Sequence, residues 1–206
     1  MIKNLVFDFG GVIVDINREN AVKRFEAIGV SNAEELLDKY HQKGIFLEVE
    51  NGRITAEEFC KKLGKMCGKE ISYEEARQAW LSFFVNDPQY RLDYIAELRK
   101  KYKVYILSNT NPFVMSWARS PEFTSQGKPL DDYADKLYLS YQVRQVKPDK
   151  EIFEYMIKDA NLNPDETLFI DDGAANVKMG RELGFLTLQP INGKDWRGKL
   201  SEMLQY

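Results

Sequence analysis

The stretch Lys3-Asn4-Leu5-Val6-Phe7-Asp8-Phe9-Gly10-Gly11-Val12-Ile13-Val14-Asp15 decides the fold. Leu5-Val6-Phe7 is a short unbroken apolar run, the pattern of a strand buried on both faces, and it passes at once into a carboxylate and two glycines. In an open α/β sheet ligands bind just beyond the carboxyl ends of strands, and Gly10-Gly11 lets the backbone come close to one. Taken alone, the stretch suits a ligand-facing Asp8 and a plain glycine turn capped by Asp8 equally well.

The same pattern recurs further along the chain. Val104-Tyr105-Ile106-Leu107 runs into Ser108-Asn109-Thr110-Asn111, and Thr167-Leu168-Phe169-Ile170 runs into Asp171-Asp172-Gly173. Shorter strands are expected over 136–139 and 186–188. Between them, residues 90–102 carry helical spacing at Leu92, Ile95, Ala96 and Leu98, with Arg99-Lys100-Lys101 suited to the negative pole of a helix. Pro148 stands at the first turn expected for a helix over 150–161, which puts Lys147 at that helix's mouth.

After Asp15 the periodicity is helical for about seventy residues. Ala21, Val22, Phe25 and Ile28 share one side of a helix that Gly29 stops. Three capping boxes, Ser31 with Glu34, Thr55 with Glu58 and Ser72 with Glu75, each predict a helix start and no chemistry. The flanking glycines of 43–53 suggest a bend or loop, and the aromatic run at 79–85 reads as core. Asn86-Asp87-Pro88 breaks the segment. The expected fold is α/β, a doubly wound, mainly parallel Rossmann-like sheet built from residues 1–15 and 87–206, with a helical cap, residues 16–86, inserted after the first strand.

The chain has 206 residues, enough to bury a sizeable core, and its 29 Lys and Arg against 32 Asp and Glu give a net charge of −3. No basic run predicts a nucleic-acid or anionic-membrane partner, and no apolar run nears the roughly 20 residues of a membrane span. The first residues enter a strand without a secretory signal, and Cys60 and Cys67 have neither disulfide nor zinc-site spacing, so a cytoplasmic location is expected. His41, the lone histidine, reads as a surface or packing residue.

In a parallel sheet the carboxyl ends of all strands lie on one edge, so Asp8, Ser108-Asn109 and Asp171-Asp172 are expected to converge there, within reach of Lys147. Three carboxylates at one point repel one another and raise at least one pKa unless a cation neutralises them. A hard divalent ion with oxygen ligands answers this, and Mg²⁺ keeps waters while accepting phosphate oxygens. Ser108, Asn109 and Lys147 suit phosphate oxygens, and Asp8 is the candidate nucleophile of a phosphoryl transfer.

In these motifs the sequence resembles the haloacid dehalogenase (HAD) superfamily of hydrolases over nearly its full length. Asp8-Phe9-Gly10-Gly11-Val12 is similar to the nucleophile motif and Ile106-Leu107-Ser108-Asn109 to the second motif. Lys147-Pro148 is similar to the lysine motif, and Phe169-Ile170-Asp171-Asp172 with Asn176 to the acidic motif. The Ser108-Asn109-Thr110-Asn111 string and the motif spacing look most like the branch containing bacterial α-D-glucose-1-phosphate phosphatase and the N-terminal phosphatase domain of soluble epoxide hydrolases. The resemblance implies that Asp8 attacks phosphorus and ligates Mg²⁺ together with the Gly10 carbonyl and Asp172, Asp171 acting through a water. It implies further that Ser108 and Lys147 hold the phosphoryl group, that Asn176 ties the acidic loop in place, and that the helical insertion excludes water and reads a small phosphorylated metabolite. Phe46, Glu48 and Trp80 are the candidate cap contacts.

The family pattern has a second aspartate two residues after the nucleophile, as acid and base, where this chain has Gly10. Losing such a group costs on the order of 10²–10⁴ in rate. A sugar 1-phosphate such as glucose 1-phosphate, whose anomeric leaving group is acidic, would suffer less, and this is the favoured reading. Glu48, Glu50 and Asp15 are candidate replacements. The alternatives are a phosphate-binding regulatory protein without turnover and a 2-haloacid dehalogenase, the latter at odds with the paired Asp171-Asp172. Val146 stands where relatives often carry arginine, and Arg144 is a candidate nearby cation.

Overall fold

The computed structural model describes residues 1–37, 42–85 and 89–205. His41 and the chain break expected at 86–88, with the domain boundary drawn there, lie outside the described residues. Five strands form one sheet in the order β3-β2-β1-β4-β5, every neighbouring pair parallel. They are β1 (Asn4–Phe7), β2 (Lys103–Ser108), β3 (Lys136–Leu139), β4 (Thr167–Ile170) and β5 (Leu186–Leu188).

β1 lies at the centre, with Val6 registered against Tyr105 on one side and Phe169 on the other. Its three apolar side chains are fully buried because both faces of the sheet are covered: Leu5 and Phe7 enter one core cluster and Val6 the other. That alternation is why the run is apolar throughout. The central place of β1 sets Asp8 in the middle of the sheet's carboxyl edge, flanked by the ends of β2 and β4.

The covering helices follow the expected order, with local differences. α1 (Arg18–Ala27), α2 (Ala33–Leu36), α3 (Gly44–Glu50), α4 (Ala56–Cys67) and α5 (Tyr73–Leu81) lie between β1 and α6 (Gln89–Leu98). Then come α7 (Pro112–Ala118), α8 (Ser140–Val143), α9 (Lys150–Asp159), α10 (Ala174–Glu182) and α11 (Arg197–Leu204). α6 ends before the basic triplet, which follows it in a turn. Pro148 lies ahead of the α9 cap residue Asp149 and outside the helix, so Lys147 is placed by the preceding turn and not by a helix mouth.

The capping boxes of Thr55 and Ser72 form, opening α4 and α5. That of Ser31 does not: α2 starts after Asn32 without a side-chain cap, and Glu34 pairs with Arg18 at 2.8 Å. The segment 43–53, expected as a loop, contains α3, bounded by Gly44 and Gly52 at positive φ. Burial decides this helix: Phe46 and Val49 are fully buried, and the Phe46 ring meets Phe25 at 4.8 Å and Phe59 at 5.3 Å, edge to face.

The two chain crossings at the base of α1–α5 pair with each other. Ile16 and Phe84 form an antiparallel bridge, Asn17 N–H donates to the Phe83 carbonyl at 2.6 Å, and Val85 N–H donates to the Asp15 carbonyl at 3.2 Å. No helix among the described residues is long and apolar enough to cross a membrane.

Candidate active site

The end of β1 presents Asp8, held from both sides. Its own N–H donates to the Ile170 carbonyl of β4 at 2.8 Å, and its Oδ1 accepts the Phe9 N–H at 2.7 Å. Gly11 then turns the chain at φ 79°, and a Cβ there would lie 2.7 Å from the carboxyl carbon of Asp172, inside any allowed contact. Glycine is what lets the two acidic loops approach, so one carboxylate oxygen from each of Asp8, Asp171 and Asp172 lies within 4.8 Å of the others.

Lys147 fills the space among them. Its ammonium is 2.9 Å from Asp8 and 2.6 Å from Asp171, donates to the Leu107 carbonyl at 2.8 Å, and is buried with them. Burial opposes its charge, but Asp171 and Asp8 outweigh that and raise its pKa above the usual lysine value. For Asp8, burial pushes the carboxyl up to about 7, with Asp171 and Asp172 adding to the rise and Lys147 resisting it. Asp172, half-buried, is pushed up to about 6 by burial and by Asp171. One lysine therefore does not neutralise three acids. The donor set is all oxygen, without histidine or cysteine, which fits a hard divalent cation.

Asp171 is bound on all sides: Gly173 N–H donates to it at 2.8 Å and the Asn176 amide at 3.0 and 3.1 Å, beside the Lys147 pair. A Cβ on Gly173 would meet Asn176 at 2.8 Å, so this turn too needs its glycine. Ser108 is buried at the end of β2. Asn109, expected at the phosphate, lies beside Ser108 with its side chain spanning the Lys147 backbone. It donates to the Lys147 carbonyl at 2.9 Å and accepts the Lys147 N–H at 2.7 Å. Its amide thus holds the lysine turn against β2.

Beside this cluster lies a cavity of about 130 Å³ between the sheet edge and α1–α5, bordered by Gly10, Ser108 and Asn109. Of the three expected cap contacts only Trp80 lines it. Phe46 is spent on the aromatic core, and Glu48 pairs with Lys62 at 2.6 Å on the surface. Glu50 takes the place foreseen for Glu48, since residues two apart on a helix point to different sides.

The three candidate replacement acids separate in the same way. Asp15 is engaged by buried Arg91 at 2.6 Å, Glu48 by Lys62, and Glu50 alone lines the cavity, its carboxyl pushed up to about 8 by burial. A Cβ at Gly10 would lie 3.3 Å from the Ile16 side chain, so a larger residue there requires Ile16 to give by a few tenths of an ångström. Arg144 is exposed and packs over Gly52, away from the residues lining the cavity. Gln42, Phe83 and Thr110, not among the expected site residues, also line it. Their only signal is tertiary.

A parallel α/β sheet with a buried carboxylate cluster and one lysine at its carboxyl edge defines a phosphoryl-transfer class of hydrolase. The chain belongs to the haloacid dehalogenase-like hydrolases, whose family model matches residues 2–184. It is 61% identical over 204 residues, 99% of each chain, to a D-ribitol-5-phosphate phosphatase of Bacteroides thetaiotaomicron. A solved HAD family enzyme of that organism, complexed with magnesium and inorganic phosphate, matches 97% of this chain and 99% of its own at 42% identity, with a TM-score of 0.87. Bifunctional epoxide hydrolase 2 of Rattus norvegicus is 25% identical over 198 residues, 88% of this chain and 35% of that protein. The chain is accordingly a phosphoric monoester hydrolase of the HAD superfamily.

Proposed function

We propose that this enzyme hydrolyses a small phosphorylated polyol, D-ribitol 5-phosphate being the first substrate to try, through a phosphoryl group carried on Asp8. The observation behind the reading is the meeting of three carboxylate oxygens within 4.8 Å beside one buried lysine. An Asp8 oxygen forms a bond to phosphorus, the bond from phosphorus to the substrate oxygen breaks, and that oxygen takes a proton from solvent water. Water then takes the phosphoryl group from Asp8 and restores the carboxylate. Lys147 favours the ionised, nucleophilic form of Asp8 and, with Ser108, supplies charge and a hydroxyl to the phosphoryl oxygens.

Asp8, Asp172 and the Gly10 carbonyl would hold Mg²⁺, with Asp171 reaching it through water because its oxygens already serve Lys147, Gly173 and Asn176. Bound Mg²⁺ offsets the repulsion among the acids and polarises a phosphoryl oxygen. Asn109 positions Lys147, and α1–α5, residues 16–86, act as a cap over a core of residues 1–15 and 87–206. Action in the cytoplasm belongs to the same proposal, supported by the free thiols Cys60 and Cys67.

Glucose 1-phosphate gains no support from the named relative, whose substrate carries phosphate on a primary carbon. On the polyol reading the leaving group is a primary alcohol, and its acidity does not compensate for Gly10. Phosphate release with Mg²⁺ from D-ribitol 5-phosphate, glucose 1-phosphate and simple alkyl phosphates tests the proposal. Highest kcat/KM on the polyol ester, lost in excess chelator, is expected. Preference for glucose 1-phosphate, or indifference to chelator, overturns it.

A further inference from the structure

Among the described residues six side-chain polar atoms are buried without a hydrogen-bond partner, and three of them, Gln42 Oε1, Trp80 Nε1 and Thr110 Oγ1, belong to residues lining the cavity beside Asp8. A buried polar atom left unpaired costs about 1–3 kcal/mol, so three around one space call for a common partner. Glu50 lines the same space, with no hydrogen bond or ion pair to any described residue. Trp80 and Thr110 are almost fully buried, at 2% and 3% exposed, so bulk water does not serve them.

Apart from Gly10, Ser108 and Asn109 at the sheet edge, the rest of the wall is apolar: Phe9, Ile16, Phe83, Phe84 and Val114. The residues around the space therefore bring carbon-facing surface together with a donor (Trp80 Nε1), an acceptor (Gln42 Oε1) and a hydroxyl (Thr110 Oγ1), each covered in this structure and reached by a ligand only as the wall adjusts, and a carboxyl (Glu50). At about 130 Å³ the space is well below the roughly 300–1,000 Å³ of pockets that take drug-sized ligands, which favours a small leaving group over a nucleoside. A short open chain with a hydroxyl on successive carbons matches both the size and the alternation of C–H and O–H groups.

We propose that Gln42, Glu50, Trp80 and Thr110 form the subsite that binds the hydroxyl groups of an acyclic polyol whose phosphate lies against Ser108 and Lys147. The inference rests on the phosphatase reading for the position of the phosphate, and it goes beyond it by assigning the residues that select the leaving group. Selection follows from the unpaired atoms: an alkyl chain of the same length leaves them without partners, and a polyol satisfies them.

The test reads binding without turnover, in the Asp8→Asn protein with Mg²⁺, by calorimetry. D-ribitol 5-phosphate and pentyl phosphate are titrated into this background and into the same background carrying Trp80→Phe, Thr110→Val or both. Thr110→Val replaces the hydroxyl with a methyl and keeps the shape, whereas Trp80→Phe removes the indole N–H together with part of the ring, so its packing loss is separated by its equal action on both ligands. The affinity ratio of polyol ester to alkyl ester is expected to fall about threefold to tenfold for each substitution and further for the pair. An unchanged ratio overturns the subsite, and so does equal weakening of both ligands, which marks a general packing defect. Failure of the phosphatase reading is seen separately, as no phosphate released by the unsubstituted chain, and leaves the ratio to judge the subsite.

Discussion

The two halves of the site differ in how their polar atoms are settled before substrate arrives. At the strand ends nearly every group has a partner: Lys147 bonds Asp8, Asp171 and the Leu107 carbonyl, Asn109 grips the Lys147 backbone, and Asn176 and Gly173 hold Asp171. In the cavity beneath α1–α5, Gln42, Trp80 and Thr110 keep buried atoms unpaired. The first half is partnered in advance, which suits chemistry common to every phosphate ester that needs charge fixed before substrate binds. The second stores its unpaired groups for the part of the substrate that varies.

The largest effect that would break this comparison comes from Lys147→Met. Removing the cation leaves Asp8 and Asp171 buried together without compensation, a loss on the order of 3–5 kcal/mol, with activity abolished. Urea denaturation and phosphate release check it, and a stable, active variant would mean the cluster is not held by charge.

Next is Asn109→Ala, which frees the lysine turn without touching a carboxylate. A displaced Lys147 should lower kcat by about 10²-fold with a smaller change in KM. A pure KM effect would return Asn109 to direct phosphate binding.

A third prediction concerns the cavity half and pH. Glu50 ionises near 4.5 when unfolded and near 8 in the fold, so between these values the folded chain holds a proton that the unfolded chain has released. Stability therefore declines as pH rises through that window, by up to about 1.4 kcal/mol per pH unit from this group. Glu50→Gln should remove that part of the slope, seen as thermal melts that fall less between pH 5 and pH 8 (roughly the window just stated). An unaltered slope would show that Glu50 is not a buried neutral acid.

The smallest effect is expected at Glu48→Ala. Its exposed pair with Lys62 is worth about 0–1 kcal/mol, and neither stability nor kcat/KM should change measurably. A specific loss of activity would restore Glu48 to the cavity.

What the sequence disclosed follows the locality of each signal. The strands were legible because burial on both faces demands unbroken apolar runs, as at Leu5-Val6-Phe7 and Thr167–Ile170, and a parallel sheet then brings Asp8, Ser108 and Asp171 to one edge. α3 was hidden because the glycines at 44 and 52 outweigh, in a local reading, the burial of Phe46 by distant rings. The place of Glu50 over Glu48 depends on which side of α3 faces the sheet. The unpaired atoms of Gln42, Trp80 and Thr110 are invisible in sequence because a missing partner is a property of the packed chain.

The central claim is that Asp8 carries the phosphoryl group. Rapid acid quench during turnover of D-ribitol 5-phosphate with Mg²⁺, followed by peptide mass mapping, tests it most directly. A phosphoryl mass on the peptide containing Asp8, absent from the Asp8→Asn protein, is the expected result. Steady phosphate release with no such adduct, or with the adduct on another residue, would contradict the account.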